Sequence, residues 1–227
     1  MKTLLTLLFC LLATPILNST EPDYEKYSAR LNRFFKDALF VVDVGDKEKY
    51  TKQLPEQISV SINCNDISIR QNVIQQLDQF CDVAGISYTI ANEPSSALLK
   101  IFIGQASEMK ELCKEYSPKI NLRSGRNYWI FWDKNSVINS GVIFLCNDVL
   151  TKPEEQASGL TVLLMGVFGV PSHSDEFKET CLNPRSSFTQ MQPLDIRLLK
   201  FYYANITAGM RPADVQKVLR EKWSDKK

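Results

Sequence analysis

The chain contains one histidine, His173, within a short stretch of groups that could transfer protons. His173 and Asp175, with a neighbouring serine, are the residue types of a hydrolase triad, and Glu176 adds a second carboxylate. Residues so close in sequence do not point at one another, so a triad would need partners from distant loops. A hydrolase could instead pair His173 with a cysteine thiol, Cys146 or Cys181. The alternative interpretation is a polar loop after a helix, and the sequence favours it over catalysis.

The residues before this loop, 153–169, are predicted to form a helix that is apolar nearly all round. A zincin-type zinc peptidase needs His-Glu-x-x-His on such a helix, and in metzincins a glycine follows three residues after the second histidine. When Gly169 is aligned with that glycine, Val162 and Gly166 occupy the histidine positions and Leu163 occupies the glutamate position. None of these residues can bind zinc. The sequence therefore predicts no catalytic residue, no metal and no cofactor at this helix.

A buried structural helix explains the same residues more simply. An apolar surface on every side is typical of a helix that is covered on all sides. Gly166 would then allow another element to approach closely, because it has no side chain. We expect Gly169 to adopt the left-handed conformation that ends many helices, and Pro171 to prevent the helix from continuing.

The segment 123–133 has the densest group of aromatic residues in the chain. In a strand, Tyr128, Ile130 and Trp132 would share one face, and Trp129 and Phe131 the other. Apolar residues on both faces favour a strand that is buried on both sides. If the strand lies instead at a sheet edge, Trp129 or Trp132 would form a stacking surface beside Arg123 and Arg126, suited to a peptide added as a strand or to a sugar.

Hydrophobic periodicity predicts the elements that would position these groups. A sheet comes first and helices come last, which predicts an α+β fold with a mixed twisted sheet, packed helices and a helical C-terminal half. The predicted strands cover residues 58–64, 87–91, 98–103, 127–133 and 141–146, the last two as a hairpin. The predicted helices cover residues 22–39, 66–84, a short segment capped by Ser107, 153–169, 193–205, and a last helix that begins at Pro212.

The N-terminus has the pattern of a cleaved secretory signal peptide: Lys2, then an apolar run over residues 4–12, then small and polar residues. We therefore divide the chain into a signal peptide (1–20), an N-terminal helix and charged linker (21–54), and one α+β domain (55–227). The sequence has 27 Lys and Arg against 26 Asp and Glu, without a block of like charge. This balance does not predict binding to nucleic acid, and no apolar run after the signal is long enough to span a membrane.

The mature chain is expected to be secreted or periplasmic, where its thiols can oxidise. Five cysteines remain after the signal, an odd number, so at most two disulfides form within one chain. Cys113 with Cys146 is the preferred pair, because both flank the same predicted sheet region. The cysteines are Cys64, Cys81, Cys113, Cys146 and Cys181.

Residues 55–220 carry a set of ordered segments: GVIFLCN, the helix from Glu154 to VFGV, SSF, PLDIRLLKFYY and AGMRPADV. In this order they resemble a family of secreted bacterial proteins known as domain-of-unknown-function family 2927. The resemblance implies a metzincin-like scaffold, here without the zinc-binding motif. The helix without metal ligands and the aromatic strand before it lead us to expect an exported, non-catalytic pseudopeptidase that binds a peptide or an envelope partner. The alternative function is a hydrolase, metal-dependent or Cys/His-based, that uses His173.

Overall fold

A computed structural model describes residues 50–116, 122–170 and 178–222. Within these ranges it contains five β-strands and five α-helices, so the predicted α+β class is confirmed. The strands are β1 (Gln57–Asn63), β2 (Ser87–Ile90), β3 (Leu99–Gly104), β4 (Arg126–Trp132) and β5 (Ile138–Cys146). The helices are α1 (Ile67–Ala84), α2 (Ala106–Lys114), α3 (Pro153–Val167), α4 (Pro193–Asn205) and α5 (Pro212–Lys222). The predicted signal peptide and N-terminal helix lie outside the described residues.

The strands form one mixed sheet in the order β2-β1-β3-β5-β4. The first four strands in this order are parallel to one another, and β4 is antiparallel to β5. The predicted hairpin of β4 and β5 is therefore confirmed, and it places β4 at one edge of the sheet. The connection from β2 to β3 passes β1 and contains a short 3-10 turn, Pro94–Ser96.

Local signals explain where the first helices begin and end. The Asp66 carboxylate accepts hydrogen bonds from the backbone N–H groups of Ser68 and Ile69, and Gly85 ends α1 with φ of 69°. The predicted start of α2 at Ser107 is wrong. Gln105 is the capping residue, and its backbone N–H donates to the Glu108 carboxylate at 3.1 Å. This hydrogen bond is part of a capping box, which determines where the helix begins.

The two faces of the sheet are covered unequally. The larger core lies between one face and helices α1, α3 and α4, and alternate residues of β1, such as Val60 and Ile62, point into it. On the other face, α2 covers a smaller cluster of buried residues: Phe102, Met109, Cys113, Val142, Phe144 and Cys146. None of the helices in the described ranges is long and apolar enough to cross a membrane.

The segment 51–54, which precedes the predicted start of the domain at residue 55, makes hydrogen bonds to the domain. The backbone N–H of Ile138 donates to the Gln53 carbonyl at 2.8 Å, next to the start of β5. Thr51 is fully buried, and its hydroxyl donates to the Thr207 carbonyl at 2.6 Å. The sequence did not predict these contacts, because the preceding residues are charged and the partners lie in distant parts of the chain.

The cysteines show no disulfide in the structure, although all five are described. Cys113 and Cys146, the preferred pair, do lie in the same buried cluster beneath α2. Burial raises the pKa of Cys113 to about 12 and that of Cys146 to about 11. Both thiols are therefore protonated at neutral pH.

The glycine at the end of α3 can be tested against the one at the end of α1. Gly169 has φ of 89°, and a methyl group there would lie 2.1 Å from the Lys52 carbonyl oxygen. Gly85 has φ of 69° but nothing within 4 Å. Gly85→Ala should cost about 1–2 kcal/mol from backbone strain alone. Gly169→Ala should cost about 1–3 kcal/mol more, because the methyl group also overlaps a backbone atom. Equal losses in urea unfolding would contradict the tight contact at Gly169.

Two carboxylates should change stability with pH in opposite directions. Burial raises the pKa of Asp195, which accepts hydrogen bonds from the Thr180 hydroxyl and from the backbone of Cys181 and Gln192. Its contribution to stability is present below its unfolded pKa of about 3.9 and is lost as pH rises through the folded pKa. The backbone N–H of Ile69, then Ser68, lowers the pKa of Asp66, so the contribution of Asp66 is lost as pH falls.

We therefore expect the stability of the wild type relative to Asp195→Asn to increase as pH is lowered from about 7 to about 4. Its stability relative to Asp66→Asn should instead decrease as the pH falls below about 4, through the unfolded pKa and then the lowered folded pKa, and asparagine is a suitable control because it is also a good helix cap. Urea unfolding at several pH values measures both differences. If both stability differences changed in the same direction with pH, one of the two carboxylates would not have the environment given above.

Candidate functional site

Helix α3 is buried from Ala157 to its end except at Val162, as predicted, whereas residues 153–155 in its first turn are exposed. Among the aligned ligand positions, Leu163 and Gly166 are buried and Val162 is partly exposed. A methyl group at Gly166 would lie 2.4 Å from Cζ of Tyr128 in β4. The predicted close approach at Gly166 is therefore confirmed, and the approaching element is the edge strand. The phenol ring lies where a second histidine of a zinc helix would need to project.

The candidate catalytic residues His173, Asp175 and Glu176 lie outside the described residues. Within the described ranges, no group of three or more His, Cys, Asp and Glu side chains could hold a metal ion. The two candidate thiols, Cys146 and Cys181, are buried, and burial raises the pKa of each. A buried neutral thiol is not the thiolate that acts as a nucleophile.

The aromatic strand lies at the sheet edge, which was the second of the two predicted placements. Arg126, Tyr128, Ile130 and Trp132 share the face that α3 covers, since Arg126 pairs with Leu145 and Tyr128 with Ile143. Trp129 lies on the opposite face, where its ring meets the ring of Phe144 edge-on at 5.6 Å.

The four predicted binding residues lie at different places along and just before this strand. Trp132 and Trp129 lie on opposite faces of the sheet. The Lys52 ammonium lies over the Trp132 ring, 3.5 Å from its centre. Arg123 lies in the exposed turn before β4. Arg126 and Trp132 share a face but lie at opposite ends of the strand, about 20 Å apart at the usual rise per residue. Alternation along a strand explains the separation.

The outer edge of β4 presents backbone groups for hydrogen bonding. The Cys146 N–H donates to the Gly125 carbonyl at 2.7 Å, and the Asp133 N–H donates to the Val137 carbonyl at 2.9 Å. Odd-numbered residues of this segment therefore face β5, and even-numbered residues direct their N–H and C=O groups outward. Near the start of β4 local contacts use two of these groups: the Ser124 hydroxyl donates to the Arg126 carbonyl at 2.9 Å, and the Tyr128 N–H donates to the Asn127 side-chain oxygen at 2.8 Å.

Further along the strand, Ile130 and Trp132 direct their backbone groups outward with no strand of the described ranges paired against them. Such an edge is a template for a further strand. The partial exposure of both residues leaves room for one, and Phe131 between them is 42% exposed.

Arg126 adds a charge to this edge. Its side chain lies beside α3, because a methyl group at Gly159 would be 3.5 Å from Cδ of Arg126. Partial burial lowers the pKa of the guanidinium, which still stays charged at neutral pH. No carboxylate in the described part of the chain forms an ion pair with it. A half-buried cation of this kind is suited to a carboxylate from outside the domain.

Two features of this site were not predicted from the sequence. One is the contact of Tyr128 with Gly166, and the other is that Arg126 forms no ion pair with a carboxylate of the described residues. One signal was present, because Gly159 and Gly166 are seven residues apart and so lie on one face of α3. A face with two glycines indicates close packing but does not name the element that packs there.

Comparison with protein-family models, with curated proteins and with solved structures finds no match to this chain. Any statement of function therefore rests on the residues and their geometry.

The contact between α3 and β4 can be tested with the same two glycines. Gly166→Ala should destabilise the protein by about 1–3 kcal/mol, because the new methyl group overlaps the Tyr128 ring. Gly159→Ala is the matched control: its methyl group would meet side chains at 3.2 Å or more, and alanine is the better helix former. We expect Gly159→Ala to lie within about 1 kcal/mol of the wild type in urea unfolding. A neutral Gly166→Ala would contradict the packing of Tyr128 on the helix.

Proposed function

We propose that this chain is an exported protein without catalytic activity that binds an extended peptide, or an extended segment of an envelope protein, along the outer edge of β4. The observation that carries the proposal is the outward direction of the Ile130 and Trp132 backbone groups on an antiparallel edge strand. A peptide that adds to this edge gains main-chain hydrogen bonds without a change in the sheet.

The side chains along the edge would determine which peptides bind. Residues of an added strand alternate between the two faces of the sheet, so every second side chain would lie on the α3 side. On that side the edge offers the cation of Arg126 at one end and the apolar surface of Ile130 further along. We therefore infer a preference for segments that carry an acidic residue near the Arg126 end.

The non-catalytic part of the proposal is supported by helix α3. It ends at a left-handed glycine, as in the metzincin-like family that the sequence resembles, but Val162, Leu163 and Gly166 stand at the aligned ligand and glutamate positions. A scaffold that holds an extended peptide keeps its groove when the metal ligands are lost. Export is proposed from the N-terminal sequence alone, which lies outside the described residues.

Two substitutions at Ile130 separate main-chain binding from side-chain packing. Ile130→Pro removes an outward N–H but no hydrogen bond to β5, because the even-numbered residues face away from that strand. Ile130→Ala also removes most of the isoleucine side chain, but it keeps the backbone N–H. With a peptide selected from a displayed random library, we expect Ile130→Ala to retain binding and Ile130→Pro to lose at least about tenfold in affinity.

Isothermal titration measures the two affinities, and circular dichroism checks that both variants fold. Equal binding to the two variants would show that the peptide does not add to β4. Failure to select any peptide would contradict the proposed function as a whole.

A hydrolase that uses His173 is the alternative function, and no contact in the described ranges favours it. A hydrolytic activity of the purified protein that disappears in His173→Ala would establish this alternative in place of the binding proposal.

A further inference from the structure

A polar cleft of about 300 Å³ lies at the C-terminal ends of β1 and β2, at the opposite end of the strand order from β4. The start of α1 forms one wall, and the connection from β2 to β3 forms another. The C-terminal ends of parallel strands are where ligands of open α/β sheets usually bind. The polar residues that line this cleft are Ser61, Asn63, Cys64, Asn65, Arg70 and Asn92.

Ser61 is the first sign that the cleft is built for a ligand. Its side chain is only 3% exposed, and its hydroxyl has no hydrogen-bond partner, alone among the buried side-chain nitrogen and oxygen atoms of the described ranges. A buried hydroxyl without a partner costs free energy. A ligand oxygen or nitrogen in the cleft would supply that partner.

Three primary amides surround the same space. Asn63 ends β1, Asn65 precedes the helix cap of α1, and Asn92 follows β2. Each amide carries two donor hydrogens and an acceptor oxygen, and a sugar hydroxyl both donates and accepts. The three side chains differ from the polar side chains at the helix ends, such as Asp66, because they make no hydrogen bond within the described part of the chain.

Arg70 is the one charged residue among those that line the cleft. One of its terminal nitrogens, Nη1, donates to the Ile62 carbonyl at 2.8 Å, which holds the guanidinium against the end of β1. The nearest acidic residue in sequence, Asp66, is occupied as the cap of α1, with hydrogen bonds of 2.8 and 3.1 Å to backbone N–H groups. The other N–H groups of Arg70 can therefore bind a carboxylate or a phosphate.

We propose that this cleft binds a small polyhydroxylated anion, a sugar that carries a carboxylate or a phosphate. The anionic group binds to Arg70, and the hydroxyl groups bind to the amides and to Ser61. This site is independent of the proposed peptide edge, since β3 and β5 lie between β1 and β4. For a ligand of about 13 heavy atoms we expect a dissociation constant of about 1 mM, which solution NMR can measure.

Four probes test the class of ligand on the full chain: glucuronate, glucose 6-phosphate, glucose and acetate. We expect glucuronate or glucose 6-phosphate to shift the backbone amide signals of residues 61–70 and 90–94, and the tighter of the two identifies the anionic group. Glucose and acetate should bind at least about tenfold more weakly, because each lacks one of the two recognised parts. Binding of neither anionic sugar, or equal binding of all four probes, would overturn the proposal.

Two variants test the residues. Ser61→Ala should weaken binding by up to about tenfold and raise the Tm of the ligand-free protein by about 2 °C, because it removes a buried hydroxyl without a partner.

Asn92→Asp changes an exposed side chain that makes no hydrogen bond within the described part of the chain. It should weaken the binding of both anionic sugars by at least about tenfold through charge repulsion and leave the Tm unchanged. Unchanged affinity in Asn92→Asp would contradict the site even if Ser61→Ala failed to fold. Neither variant touches β4, so peptide binding to that edge should be the same as in the wild type.

Discussion

The fold depends on one close contact, the packing of helix α3 directly against the hairpin of β4 and β5. Gly166 brings the helix backbone to the ring of Tyr128, and Gly159 brings it to Leu145 and Arg126. Any side chain at Gly166 would need the same space as the ring. The helix therefore packs flat against the strand, and this contact sets the position of the sheet edge relative to the core.

Helix α4 holds the end of α3 in this position. The Tyr203 hydroxyl donates to the Phe168 carbonyl at 3.0 Å, and the Tyr202 hydroxyl donates to the Lys52 carbonyl at 2.8 Å. The left-handed turn at Gly169 leaves room for that same carbonyl. A further buried network joins α1 to α3, where the Thr161 hydroxyl donates to the Gln76 side chain at 3.1 Å. Because buried polar groups need partners, these bonds favour one arrangement of the helices.

The same packing has consequences for function. Where the Tyr128 ring covers Gly166, the helix has no space for a side chain that could bind a metal. The strand that covers the helix keeps one edge toward the outside and carries the half-buried cation of Arg126. Backbone groups and a guanidinium at this edge are suited to binding an extended segment.

The sequence by itself determined the individual elements, because their signals are local. Asp66 and Gly85 define α1, prolines begin α4 and α5, and the apolar runs mark four of the strands within one residue at each end, while β5 begins three residues earlier than predicted. It also predicted the burial of α3, because a helix with apolar residues on nearly every side is covered on nearly every side.

Only the tertiary structure decided which elements meet. It placed β4 at the edge, packed Tyr128 against Gly166, joined residues 51–54 to the domain and brought three asparagines and Arg70 around one cleft. These outcomes depend on pairings between residues up to about 160 positions apart, such as Thr51 with Met210. Hydrophobic periodicity reports which face of an element is covered, but not which partner covers it, because many apolar surfaces could satisfy the same face.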